Sequence, residues 1–240
     1  MNGKENRKVK DSVFVDLFFT DETAEANERS LYEAISGHTK LEPDCKIRKF
    51  RVDQQIYMNF QNDVSFEVDQ KVIVFGEHQS TVNMNMPLRY LMICGRVYEM
   101  LIPVRARYKR GQVKIQRPEF YTFYNGENFT EKERVLKLSD AFITEKSNAE
   151  VPSVELIVRV ININPAAHHE ILDKCPVLKE YGQFIDTVRK YQKEGYDEPY
   201  KHAIQECMDN GILTEYLRRR GSEVENMLMT EYDYKTDIEV

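Results

Sequence analysis

The sequence predicts an α/β protein in which a mixed β-sheet core, flanked by helices, precedes an all-helical C-terminal lobe. Strand-like segments are confined to the first two thirds of the 240 residues, and helical periodicity alone fills the last third. A chain of this length can bury a sizeable hydrophobic interior. We therefore expect a flexible N-terminus at 1–10, the core at 11–166 and the helical region at 167–240.

Composition and charge limit the classes of function. The chain is 41% hydrophobic and 31% charged, and no apolar run approaches the roughly 18 residues that span a bilayer. Four scattered cysteines without a C-x-x-C pair argue against structural zinc and favour reduced thiols, so we expect a cytoplasmic protein without a membrane segment. Because the net charge is −6, nucleic-acid binding would need a local basic face.

Two helices are predicted to open the fold. The segment "DSVFVDLFF" places apolar residues at helical spacing, and "ANERSLYEAISG" repeats this pattern before it stops at Gly37. The following stretch is polar and mixed, although "IRKFRVDQQIYM" is compatible with a short strand.

A β-hairpin is predicted over residues 62–80, with "DQK" as its three-residue loop. This loop sets Val68 opposite Val72 and Asp63 opposite Glu77. One face of the hairpin is then wholly apolar and consists of Val64, Phe66, Val68, Val72 and Val74. A two-residue loop would scatter both sets, so hydrophobic patterning selects the register that gathers Asp63, Glu77 and Gln79 at one end.

A helix is predicted for "NMPLRYLMICGRVYEMLI", because Pro87 suits a first helical turn and an apolar stripe follows it. We expect that stripe to comprise Leu88, Leu91, Met92, Gly95 and Leu101 or Ile102. The segments "FYTFYNG" and "VELIVRVININ" are predicted as strands. Three helices then follow, the first two of which end at Gly195 and Gly211.

The carboxylates of Asp63 and Glu77 are the candidate reactive groups. Like charges directly across a strand pair, with Cβ atoms roughly 4.5–5.5 Å apart, are destabilising unless a proton, an Arg or Lys, or a divalent cation compensates. Mg²⁺ takes one or two carboxylates together with waters and phosphate oxygens, and it assists phosphodiester hydrolysis. Gln79 can orient an attacking water but adds no charge. The alternative interpretation is two exposed carboxylates at a sheet rim.

Several motifs resemble the PD-(D/E)XK nuclease superfamily, in particular its bacterial Rpn recombination-promoting nuclease and transposase-like branch. They are "NDVSF", "GEHQS" and "NMNMPLRYLMICGRVYEML", with "DSVFVDLF", "FYTFYNG", "EYGQFIDTVRKY" and "MLMTEYD". The resemblance implies a restriction-endonuclease-like core that acts on DNA in recombination or transposition. It also implies Asp63 and Glu77 as ligands of Mg²⁺, with Mn²⁺ as a substitute, and Gln79 at a position usually held by Lys.

The resemblance further implies an acidic residue in the first helices, since many members place a Glu there beside the metal. Asp11, Asp16 and Glu33 are the candidates in this sequence, and a surface position is the alternative for each.

Basic residues after the hairpin are candidate DNA contacts. Arg89 could contact a phosphate or brace the carboxylates. The stretch "RARYKRGQVKIQR" suits sequence-independent backbone binding, with a solvated surface as the alternative. Its cations are Arg105, Arg107, Lys109, Arg110, Lys114 and Arg117, with Tyr108 among them.

These patterns predict a Mg²⁺-dependent DNA endonuclease. The alternative function is a non-catalytic DNA-binding or protein-interaction module on a degenerate nuclease fold. A nucleotide cofactor is not expected, since the glycines form neither G-x-G-x-x-G nor a P-loop. A C-terminal stripe of Tyr181, Phe184, Ile185 and Val188 could form a homodimer interface or pack in a core.

Overall fold

The computed structural model describes residues 12–37, 40–49, 63–143 and 152–238, and every structural statement below refers to these ranges. The predicted flexible terminus at 1–10, Asp11 and the part of the possible strand beyond residue 49 lie outside them. The described chain forms two compact units. Residues up to Asn27 and from Pro176 onward form the first unit, and Glu28–Cys175 form the second. Residues 12–27, which the sequence analysis assigned to the core, thus belong to the first unit, and 167–175 to the second.

The second unit contains a six-stranded mixed sheet of order β1-β2-β3-β4-β6-β5, as the predicted α/β class requires. Its strands are β1 (Ile47–Lys49), β2 (Val64–Val68), β3 (Val72–Gln79), β4 (Arg117–Tyr124), β5 (Glu133–Lys137) and β6 (Ile157–Asn162). The three strands β3, β4 and β6 run parallel, while β1, β2 and β5 are antiparallel to their neighbours. The sequence pattern predicts β2, β3, β4 and β6 but not β5.

The β2–β3 hairpin has the predicted register. Val68 pairs with Val72, and Val64 pairs with Gly76. The loop contains no glycine, yet Asp69 and Gln70 adopt left-handed φ angles of 50° and 56°. Two successive positive φ angles, with the N–H of Lys71 donating to the Val68 carbonyl at 3.0 Å, follow the φ pattern of a type I′ turn. The hydrophobic pattern therefore set this register despite unfavourable loop residues.

Gln70 has a left-handed φ angle, so its replacement by glycine should stabilise the protein. Gly avoids the roughly 1–2 kcal/mol cost of this conformation but loses about 0.5–1 kcal/mol in chain entropy. We expect Gln70→Gly to raise the free energy of unfolding by about 0.5–1 kcal/mol in urea titrations. The control is Gln112→Gly, at an exposed position without a positive φ, which should not stabilise. A destabilised Gln70→Gly variant would contradict this account of the loop.

The long helix α3 (Met86–Leu101) packs on β3, β4 and β6. Its buried residues are Met86, Pro87, Tyr90, Ile93, Cys94 and Val97. The predicted stripe is therefore wrong in part, because Leu88 and Leu91 are 46% and 39% exposed and Gly95 is also exposed. This helix carries apolar residues on two faces, and its periodicity alone did not identify the face that meets the sheet.

The remaining helices of the second unit are short or peripheral. They are α2 (Ala24–Ser36), whose residues from Glu28 onward belong to this unit, α4 (Val104–Arg107) and α5 (Ile171–Lys174).

The first unit is helical and uses the predicted C-terminal stripe as its core. It contains α1 (Val13–Val15), a π-helical turn at Asp16–Thr20, α6 (Pro176–Lys193), α7 (Pro199–Asp209) and α8 (Thr214–Ile238). All four stripe residues are buried, and the Tyr181 ring lies 5.5 Å from that of Phe14. A dimer through these helices would need a different surface. None of the described helices combines the length and apolarity needed to cross a bilayer.

Asp16 is not the surface residue that the sequence suggested. It is 2% exposed, accepts a 2.8 Å hydrogen bond from the Tyr216 hydroxyl, and lies 3.0 Å from Nε of Arg220. Its carboxylate thus holds α8 to the π-helical turn within the first unit. Glu33, another candidate, accepts a 2.7 Å hydrogen bond from the backbone N–H of Leu41.

Candidate functional site at the end of strand β3

Glu77 lies near the carboxyl end of β3, on the sheet face that α3 covers. In the parallel register with β4, Glu77 is opposite Thr122 and Gln79 is opposite Tyr124. The preceding residues on this face, Ile73 and Phe75, are fully buried in the α3 core. Glu77 is itself only 3% exposed. The apolar strand therefore carries a carboxylate into the interior, which requires polar partners there.

Two side chains contact the Glu77 carboxylate directly. The amide nitrogen of Gln79 donates to Oε2 at 3.0 Å. One guanidinium nitrogen of Arg89, from the first turn of α3, lies 3.1 Å from Oε1 and 3.0 Å from Oε2. Arg89 thus braces the carboxylate, one of the two roles that the sequence suggested for it.

Burial and charge raise the pKa of Glu77 to about 7. Burial is the largest cause, and the negative charge of Asp63 adds to it. The positive charge of Arg89 and the hydrogen bond from Gln79 act in the opposite direction. Near neutral pH, Glu77 is therefore divided between its neutral and charged forms, and a cation at this position would favour the charged one.

Asp63 lies immediately before β2, at the open end of the hairpin. It is partly buried, and its carboxylate accepts a 2.8 Å hydrogen bond from the backbone N–H of His78. This bond fixes Asp63 beside the residue that follows Glu77. The structure therefore brings the two predicted carboxylates together at the strand end.

Gln79 completes the predicted trio, and its two amide atoms differ in their surroundings. The amide nitrogen bridges Glu77 and the sulfur of Met86, which is 2.9 Å away. The amide oxygen is buried and has no hydrogen-bond partner among the described residues. A buried acceptor without a donor is costly, so this oxygen is suited to a water molecule or a hydrated cation.

The donor atoms at this position fit Mg²⁺, although they form a partial shell. No cluster of three or more His, Cys, Asp or Glu side chains that could hold a metal occurs within the described ranges. Mg²⁺ needs only one or two protein carboxylates because it retains several waters. Asp63 and Glu77 can supply these carboxylates, with the Gln79 oxygen nearby to accept a hydrogen bond from a water.

The stability of the metal-free protein should depend on pH through Glu77. Its pKa rises from the ordinary value of 4.5 to about 7 on folding. The folded state therefore binds more protons within this window, and stability falls as pH rises through it. The Glu77 contribution is about 3 kcal/mol. In urea titrations with chelator, we expect wild type to lose this amount relative to Glu77→Gln as pH rises through this window.

A variant on the exposed side of α3 provides the control for that comparison. Glu99→Gln should follow the wild-type pH dependence. Parallel curves for wild type and Glu77→Gln would show that burial does not raise the pKa of Glu77.

Sequence reasoning missed two residues that shape the site. Tyr90 is fully buried, donates a 2.5 Å hydrogen bond to the Tyr121 carbonyl, and packs its ring against Phe75 and Phe120. The sulfur of Met86 contacts the amide nitrogen of Gln79 at 2.9 Å and a guanidinium nitrogen of Arg89 at 3.4 Å. The available signal was the spacing of positions 86, 89 and 90, which puts all three side chains on one side of the first helical turns.

Apart from Arg89, the predicted basic contacts do not converge on Glu77. Arg107 donates hydrogen bonds to the carbonyls of Glu99 and Ile102, so it caps the C-terminal end of α3. Arg117 pairs with Glu119. These two cations serve the fold of the second unit.

The other basic candidates lie beyond the C-terminal end of α3. Arg105, Lys109 and Arg110 are exposed. The 16 residues of α3 rise about 1.5 Å each, so the helix is roughly 24 Å long. These three cations therefore lie roughly 24 Å along the helix axis from the end that meets Glu77.

A second polar cluster lies on the opposite face of the sheet. Arg159 binds Glu133 through two hydrogen bonds of 2.7 and 2.8 Å, and the His169 ring lies 3.4 Å from the same carboxylate. These contacts hold β5, β6 and the segment before α5 together, and they lower the pKa of Glu133.

No family model, curated protein or solved structure matches this chain.

Proposed function

We propose that this protein is a Mg²⁺-dependent DNA endonuclease with a restriction-endonuclease-like core. The observation that carries this proposal is the buried Glu77 carboxylate, held beside Asp63 and Gln79 at the end of β3. Burial of a carboxylate next to a second negative charge is unfavourable in the apo protein. Binding of a divalent cation would offset this cost, as happens in sites that act on phosphates.

The side chains would divide the chemistry as follows. Asp63 and Glu77 would hold Mg²⁺, which would supply a water of lowered pKa and positive charge beside the phosphate. Gln79, whose buried amide oxygen has no hydrogen-bond partner among the described residues, would accept a hydrogen bond from the attacking water and so orient it. Arg89 supplies the positive charge that Gln79 lacks. DNA is the substrate, and a role in recombination or transposition follows only from the motif resemblance.

The alternative is a non-catalytic DNA-binding or interaction module on the same fold. The Arg89–Glu77 ion pair favours it, because a cation already partly neutralises the carboxylate without metal. Such a module would keep its DNA affinity in chelator and after the loss of Asp63.

Cleavage of supercoiled plasmid tests the proposed activity. Wild-type protein should nick the plasmid with Mg²⁺ or Mn²⁺, and chelator should stop the reaction. DNA binding without nicking under any metal condition would instead support the non-catalytic module.

A further inference from the structure

An exposed cationic surface follows the C-terminal end of α3. We define this basic surface by Arg105, Tyr108, Lys109, Arg110 and Lys114, all of which are exposed. Tyr108 is 84% exposed, far more than a side chain needed for packing. An aromatic ring is thus presented to solvent in a segment that carries four exposed cations.

The four cations of the basic surface are exposed and lack an acidic partner among the described residues, although Lys114 donates a 3.2 Å hydrogen bond to the amide oxygen of Gln112. None of them forms an ion pair with another residue of the described ranges. In the same stretch, Arg107 and Arg117 are used by the fold. The whole chain has a net charge of −6, so the positive charge of this surface is a local feature. A local concentration of positive charge is suited to binding a polyanion.

We propose that the basic surface binds a DNA strand with unpaired bases, whose phosphates contact the cations and one of whose bases stacks on Tyr108. The choice of DNA as the polyanion rests on the proposed function. Cationic grooves that carry exposed aromatic rings bind single strands, because each unpaired base offers a free face for stacking. Duplex bases stack on one another and offer the ring no such face.

The position of the basic surface specifies where the strand is held. It lies roughly 24 Å along α3 from Glu77. A strand stacked as in duplex DNA advances about 3.4 Å per nucleotide and needs about seven nucleotides to cover this length, and an extended unpaired strand needs fewer. The substrate it selects is DNA with an unpaired flank, such as a tail or an open junction.

Fluorescence anisotropy in chelator tests this proposal without cleavage. The probes are a labelled oligothymidine and a labelled duplex of equal length. We expect Tyr108→Ala to weaken oligothymidine binding by about fivefold to a hundredfold and to leave duplex binding unchanged. Tyr108→Phe should bind as wild type does. Phe142→Ala, which removes a ring that is 42% exposed in the same unit, should have no effect.

The salt dependence of binding tests the cations separately. The double variant Lys109→Gln and Arg110→Gln should reduce the slope of log affinity against log salt by about 0.7 for each phosphate that is no longer neutralised. An unchanged slope would overturn the proposed binding of phosphates by these cations.

Three results would overturn the inference. In the first, Tyr108→Ala weakens oligothymidine and duplex binding equally. In the second, wild type does not bind oligothymidine. In the third, anionic phospholipid vesicles bind in a Tyr108-dependent way and the oligonucleotide does not. Tyr108-dependent binding in a protein that never nicks plasmid would refute the nuclease and support this inference. Plasmid nicking by a protein that shows no Tyr108-dependent binding would support the nuclease and refute this inference.

Discussion

Glu77→Gln should lower metal-dependent plasmid nicking by about a hundredfold to a thousandfold, which corresponds to about 3–4 kcal/mol of lost transition-state stabilisation. The substitution removes a charge that a cation needs but preserves the size and buried position of the side chain. Asp63→Asn should have a similar effect and should also weaken the hydrogen bond with the backbone N–H of His78.

The folded state of these variants must be checked by circular dichroism and thermal unfolding. Glu77→Gln removes a buried charge, so it should be at least as stable as wild type near neutral pH. Glu99→Gln, on the exposed side of α3, should retain wild-type nicking. Full activity in both carboxylate variants would refute the assignment of the site.

Arg89→Ala should lower nicking by about a hundredfold, and Gln79→Lys in the same chain should restore much of the activity. Arg89 lies within 3.1 Å of both Glu77 oxygens and is the cation of the site. Removal of one preorganised charge-stabilising group typically costs about a hundredfold to a thousandfold in rate. A Lys at position 79 would supply positive charge from β3 and replace the hydrogen bond that Gln79 donates to Glu77.

The rescue separates a functional role of Arg89 from a structural one. Arg96→Ala on the same helix is the matched control and should retain activity. If the double variant is folded but no more active than Arg89→Ala, charge at this position is not what the reaction requires. Wild-type activity in Arg89→Ala would lead to the same conclusion.

The sequence predicted the local arrangement of the site because that arrangement depends on one hairpin. Its register follows from alternating apolar residues over β2 and β3, since a shift of one residue would move the valines of one strand to the opposite face. The positions of Asp63, Glu77 and Gln79 relative to one another follow from it.

The features that the sequence did not predict depend on interactions between distant segments. Asp16 is buried because Tyr216, 200 residues later, meets it. The buried face of α3 was misassigned because Leu88 and Leu91 are as apolar as the residues that pack on β4. The strand β5 is short, and Val135 on it is 49% exposed, so it lacks a strong apolar pattern.

Direct binding of Mn²⁺ tests the central claim that Asp63 and Glu77 together hold a divalent cation. Disappearance of the electron paramagnetic resonance signal of free Mn²⁺ reports binding without any need for substrate. We expect wild type to bind a single Mn²⁺ per chain, with affinity reduced at least about tenfold in Asp63→Asn and in Glu77→Gln, since each variant removes a charged ligand. Wild-type affinity in both variants, or no binding by wild type, would contradict the account.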